Sequence, residues 1–282
     1  ALWKLDDPEH LQQWDSPWGK GYPGWHIECS VMAGEQIDIH TGGLDNKFPH
    51  HENEIAQSEG TYEKPFAKLW LHNAWLQLKG EKLAKREGEQ ITLDTIKEKG
   101  FSPLAFRLLV FGSHYRKPLD FSWESLKAAQ EQLDGLKNFL RRTADQRVAK
   151  PKGGQLANDP VIKDFVAALA DDLNTPEALA AIMAHVREAN ARLDKGKKVD
   201  DACHALMKMD EVLGILDGIW DDVQAESQDI PQEVKDLADQ REKARQDGDF
   251  DKADQLRSEI ENRGFAVEDS DSGVRLLKKR SD

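Results

Sequence analysis

Cysteine is almost absent from this chain: Cys29 and Cys203 are the only two in 282 residues. A disulfide scaffold is therefore excluded, and each thiol needs its own explanation. Long apolar runs are missing as well, and no charged-then-apolar leader opens the sequence, so neither membrane insertion nor secretion is expected. Positive charge is in short supply, with 39 Lys and Arg against 52 Asp and Glu and a net charge of −13. That balance disfavours indiscriminate binding to nucleic acid or anionic lipid, though it leaves room for a locally basic surface. Internal repeats and low-complexity tracts are also lacking. What is there is a globular mixture, 39% hydrophobic and 32% charged, long enough for two domains and a small third.

The first third mixes strand-like and helix-like segments. Pro23-Gly24 leads into Trp25–Met32, which reads as a helix opening after a turn. Ile37–His40 alternates like a strand and runs into Thr41-Gly42-Gly43; Pro49 suits the first turn of a helix continuing through His50–Ala56. Lys68–Leu71 and Trp75–Leu78 read as further strands. This grammar predicts an α/β domain, with ligands gathering at the C-terminal ends of its strands. From about residue 93 the pattern turns helical. Ser102-Pro103 predicts a cap with proline at the first helical position, and Gly112 a stop. Ser122 is expected to cap a helix over Trp123–Arg142 with Leu126, Leu133, Leu136 and Leu140 on its apolar stripe. Thr175 is expected to cap another helix, and helical spacing resumes at Leu206, Met209, Leu213 and Leu216. Residues 232–264 read as a helical hairpin turning at Asp247-Gly248-Asp249, followed by two short strands.

Four constellations stand out. His50 and Glu54 are four apart and leave the same helix face; with the Cys29 thiolate they make a donor set that zinc accepts. A buried cysteine and a polar helix face also occur without metal, and spacing alone leaves the two readings level. Trp25 shares a helix face with Cys29 and is either the wall of a small pocket or ordinary core. His40, Gly42, Gly43 and Asp45 lie where an α/β sheet meets ligand, yet a glycine pair also serves any tight turn. Lys82, Lys85 and Arg86, with Gly88 for flexibility, suit either a polyphosphate-holding loop or a solvated one. Basic clusters at Lys137, Arg141, Arg142, Arg147, Lys150 and Lys152, and at Arg275, Lys278, Lys279 and Arg280, suit a phosphate backbone or solvated helix ends.

Taken together, three blocks resemble the cysteinyl-tRNA synthetase family: Pro23–Ser30 (PGWHIECS), Asp38–His40 (DIH), and Phe48–Ser58 (FPHHENEIAQS). The resemblance continues through Ser113-His114-Tyr115-Arg116 and Asp171–Ala178 to the closing hairpin, covering essentially the whole chain. It implies a fold that is α/β plus all-α. The C-terminal part of a Rossmann-like class I catalytic domain (1–118) is followed by a helical tRNA-binding bundle (119–225) and a small α+β domain (231–282). It further implies ATP-dependent joining of L-cysteine to cysteine tRNA through a cysteinyl-adenylate, with ATP accompanied by Mg²⁺. Cys29, His50 and Glu54 would be zinc ligands, and Trp25 and His40 would complete the amino-acid pocket. Gly42, Gly43 and Asp45 would lie against adenosine, with Lys82 and Lys85 as the catalytic lysines of the ATP loop. A zinc–thiolate contact is one that serine cannot reproduce, which would remove the need for editing. A cytoplasmic monomer is expected.

Departures from the family accompany these implications. The loop reads Lys-Leu-Ala-Lys-Arg where the family usually has Lys-Met-Ser-Lys-Ser, and Thr41 stands where many members have glycine. The family's fourth zinc ligand, another cysteine, and its histidine-containing ATP signature have no counterpart here, so these 282 residues alone are expected not to form the adenylate. Two other readings compete. The ligase joining cysteine to glucosaminyl-inositol in mycothiol synthesis resembles the same core and zinc site but uses no tRNA. A truncated, non-catalytic relative would retain only tRNA or zinc affinity.

Overall fold

The computed structural model describes residues 2–5, 9–78, 81–82, 91–143, 162–216, 218–220, 223, 230–270 and 273–278. The chain falls into two compact units, residues 1–86 with 115–121, and residues 87–114 with 122–282. Among the described residues no helix is long and apolar enough to cross a membrane.

The first unit is built around one βαβ segment. Strand β1 (Trp3–Leu5) pairs antiparallel with β2 (Gly21–Pro23), which leads directly into α1 (Trp25–Ala33). Gly24 caps α1 from an extended conformation, as the Pro-Gly pair predicts. Strand β3 (Ile37–Gly43) is joined through α2 (Glu52–Tyr62) to β4 (Ala67–Asn73), which lies parallel to it. The register sets His40 beside Trp70 and Gly42 beside His72. Side chains alternate across a strand, so His40, Gly42, Trp70 and His72 share one face. Strand β5 (Leu76–Leu78) pairs antiparallel with β6 (Glu81–Lys82) and parallel with β7 (Leu119–Phe121). Helix α2 begins later than Pro49 predicts. Residues 47–51 form a wide turn with Phe48 extended, and regular helix starts only at Glu52.

The second unit is helical. It comprises α3 (Leu93–Glu98), α4 (Pro103–Phe111), α5 (Trp123–Arg142), α6 (Lys163–Ala170), α7 (Thr175–Leu193) and α8 (Asp200–Leu213). Ser122 caps α5 reciprocally with Ser125, the two hydroxyls bonding each other's backbone N–H at 3.0 and 3.1 Å. The stripe of α5 buries Leu126, Leu133, Leu136 and Leu140, joined by Ala129 and Phe139. The cap of α7 is Asn174 rather than Thr175: its amide oxygen accepts from Glu177 N, and Thr175 and Pro176 occupy the first turn, where proline needs no donor. Cys203 is fully buried in α8, a small apolar side chain as its surroundings demand.

The terminal residues form their own hairpin of α9 (Gln232–Gln246) and α10 (Phe250–Asn262) with strands β8 (Phe265–Ser270) and β9 (Gly273–Lys278). Val234, Ala238, Ile260, Phe265 and Val267 make its core. Gly248 turns between the helices in the left-handed region, and the Asp249 carboxylate caps α10 at Lys252 N.

Candidate metal centre

Three elements of the first unit deliver ligating side chains to one place. Helix α1 carries Cys29, the turn before α2 carries His50, and the first turn of α2 carries Glu54. One donor atom from each lies within 4.8 Å of the others. Glu54 is completely buried, an expensive location for a carboxyl group unless its oxygens are used. They are used unequally. Oε2 lies 2.9 Å from His40 Nε2, whereas Oε1 has no hydrogen-bond partner, its neighbour His50 Nε2 standing 3.6 Å away. A buried acceptor left open, facing an imidazole nitrogen and a thiol, is what a divalent cation of zinc's character fits.

Around this group the first unit gathers further imidazoles. His26 Nδ1 stands 2.7 Å from His50 Nδ1, and His51 Nδ1 stands 2.8 Å from His72 Nε2. The His51 ring rests on His40, Trp70 and His72, with centroids 4.6, 5.1 and 5.0 Å away. Gly42 makes this possible: a Cβ there would come within 2.7 Å of His51 Cε1 and 3.1 Å of Asn46 Nδ2. Burial and the neighbouring His40, His72 and His50 hold the His51 pKa down to about 4. Burial, followed by His50, also lowers that of His26. Burial raises the Cys29 thiol, helped by Glu54 and Glu28. A thiol in that position keeps its proton until a cation displaces it.

The remaining sequence-predicted residues divide into four groups. Trp25 is 64% exposed, with its ring 4.8 Å from that of His50, so it borders the cluster from the solvent side. Gly42 and Gly43 end β3, and Asp45 follows in a short turn where its Oδ1 accepts from Trp75 Nε1 at 3.1 Å. That oxygen also fills the space beside Gly43, 2.5 Å from where a Cβ would stand. Lys82 belongs to β6, and Lys85 lies outside the described residues. In the first basic cluster, Arg142 is bonded to Asn190 and Asp194, which makes it a tie between α5 and α7; Arg147, Lys150 and Lys152 lie outside the described residues.

Sequence reasoning missed His26, His51 and His72 as members of the site. The doublet His50-His51 was a visible signal. His26 and His72 become neighbours of the cluster only through folding, His72 through the parallel pairing of β3 with β4.

Three family profiles match the chain in order. A tRNA synthetase class I (C) catalytic domain covers residues 1–131, a DALR domain 164–217, and a cysteinyl-tRNA ligase anticodon binding domain 227–275. Among curated relatives, the cysteine–tRNA ligase of Chlamydia muridarum is 39% identical over 300 residues, spanning 99% of this chain and 62% of its own length. Those of Persephonella marina and Protochlamydia amoebophila are 38% and 40% identical, with 63% and 60% of their lengths covered. The chain thus spans about three-fifths of the relatives it matches. A solved ternary complex, the LeuRS–tRNA–LeuAMS complex of Agrobacterium radiobacter K84 agnB2, superposes with a TM-score of 0.53 at 14% identity, over 76% of this chain and 34% of that one. At that identity the likeness concerns the fold alone. With the catalytic, DALR and anticodon-binding profiles in sequence and relatives aligned along 99% of its residues, the chain belongs to the cysteinyl-tRNA synthetase family.

Proposed function

We propose that the protein to which this chain belongs joins L-cysteine to cysteine tRNA at the expense of ATP, through a cysteinyl-adenylate, and selects its amino acid with zinc. One observation carries the zinc reading: the open Glu54 Oε1 is buried among the donor atoms of Cys29 and His50. Zinc bound there supplies a soft Lewis-acidic contact for a thiolate, which a hydroxyl cannot equal. Cys29, His50 and Glu54 would hold it. His40 steadies Glu54 through Oε2, and Trp25 borders the pocket and limits water on its open side. Gly42, Gly43 and Asp45 are assigned to the adenosine, as the family resemblance implies and as their place at the end of β3 suits. Lys82 and Lys85 are assigned to the ATP phosphates with Mg²⁺, as the family resemblance implies.

The order of the matched profiles favours tRNA over a small amino sugar as acceptor, since the DALR and anticodon-binding regions occupy the residues after the catalytic one. Adenylate formation is assigned to the full-length protein, and pyrophosphate exchange by the 282-residue chain alone is expected to be absent. The direct test is metal content and ligand selectivity of the full-length protein after purification in zinc-containing buffer. About one zinc per chain is expected, together with cysteine binding that chelation abolishes and serine does not match. A protein that keeps no zinc, or that binds serine as well as cysteine, overturns the zinc reading.

A further inference from the structure

The zinc reading leaves a question about protons that His26 answers. His50 has two ring nitrogens, and only an unprotonated one can bind a cation. Its Nε2 is the nitrogen on the Glu54 side, 3.6 Å from Oε1, and its Nδ1 is 2.7 Å from His26 Nδ1. A single proton must lie between those two Nδ1 atoms. If His26 carries it, a neutral His50 is protonated on Nε2 and offers the cation no lone pair. If His50 carries it, Nδ1–H donates to His26, and Nε2 is free.

We propose, on the basis of the zinc reading above, that His26 is a positioning residue: by accepting a hydrogen bond from His50 Nδ1–H it fixes the His50 tautomer that ligates through Nε2. His26 itself is held by α1 and by its own ring stack, with the Trp25 ring 5.8 Å away and nearly parallel at 19°. Its acceptor is therefore presented from a fixed backbone, one turn before Cys29 on the same helix. Outer partners of this kind orient ligating imidazoles and raise their basicity.

The test compares zinc affinity by competition with a chromophoric chelator in the full-length protein and in its His26→Ala and His26→Asn variants. His26→Ala is expected to weaken zinc by about 10–100-fold. In His26→Asn the amide oxygen stands near the former Nδ1, so most of the affinity should return. The visible absorption of the cobalt-substituted protein should change in the alanine variant and recover in the asparagine one. Melting in excess chelator should be alike in all three, because a half-buried side chain at a helix start contributes little to metal-free stability. Unchanged zinc affinity in His26→Ala, or an asparagine variant no better than alanine, overturns the proposal. Absence of zinc binding by the unsubstituted protein would instead remove the zinc reading on which it rests.

Discussion

The interiors of the two units are made of different material. In the first unit the buried polar residues Ser30, His50, His51, Glu54 and Ser58 outnumber the buried apolar ones, which among the described residues are Phe66, Ala74 and Phe121. In the second unit the described interior is leucine, isoleucine, valine, alanine, phenylalanine, methionine and Cys203, with Thr143 and Arg241 as the polar exceptions. An apolar interior stabilises by removing surface from water. A polar one must satisfy each group by a specific partner, and what it gains is a defined arrangement of donors and acceptors. The first unit's interior is thus held by specific polar partners and the second unit's by apolar burial.

That contrast can be broken by substitution. Leu133→Ala, in the fully buried stripe of α5, should cost the second unit about 3 kcal/mol in urea unfolding and leave zinc affinity untouched. Glu54→Gln should do the reverse. It should weaken zinc by more than about 100-fold, beyond the loss of an outer hydrogen-bond partner, while metal-free stability moves by less than about 1 kcal/mol. A large loss of metal-free stability in that variant would mean that Glu54 is a structural buried acid after all. Gly42→Ala tests the boundary between the two behaviours, since its Cβ collides with the His51 ring. A cost of about 2 kcal/mol in thermal unfolding is expected, together with weakened zinc binding.

The smallest effect belongs to the surface of the helical unit. Arg192 grips both oxygens of Asp201 at 2.8 and 2.7 Å, and that hydrogen bonding holds the carboxyl below its usual value of 3.8. The folded form therefore binds the proton less readily than the unfolded one. The stabilisation is complete above the ordinary carboxylate value and disappears as pH falls through the lowered one. Asp201→Asn should cost roughly 0.5 kcal/mol at neutral pH and flatten that part of the acid-unfolding curve. An unaltered acid limb would assign the dependence to other carboxylates.

Much of this architecture was readable before folding, for local reasons. The Ser122 cap, the leucines of α5, the Ser102-Pro103 start of α4 and the hairpin over 232–264 each follow from neighbours a turn away. The metal-ligand spacing of His50 and Glu54 was readable for the same reason, and Cys29 joined it by chemistry rather than distance. The start of α2 was misplaced because proline at a first turn looks the same whether the turn is regular or wide. The partners His26 and His72 were hidden. Which residues on β3 and β4 lie side by side is decided by strand register, and a one-residue slip would have replaced His72 by Leu71 or Asn73 beside Gly42.

Among the described residues, the groups gathered around Glu54 lie on one unbroken stretch of chain from Trp25 to His72, threaded through α1, β3, α2 and β4. Its closure waits on the parallel pairing of β3 with β4, partners about thirty residues apart across the α2 crossover, which is a slow kind of contact to form. His40 and His72 therefore take their places around His51 together, when the two strands pair, and not one residue at a time.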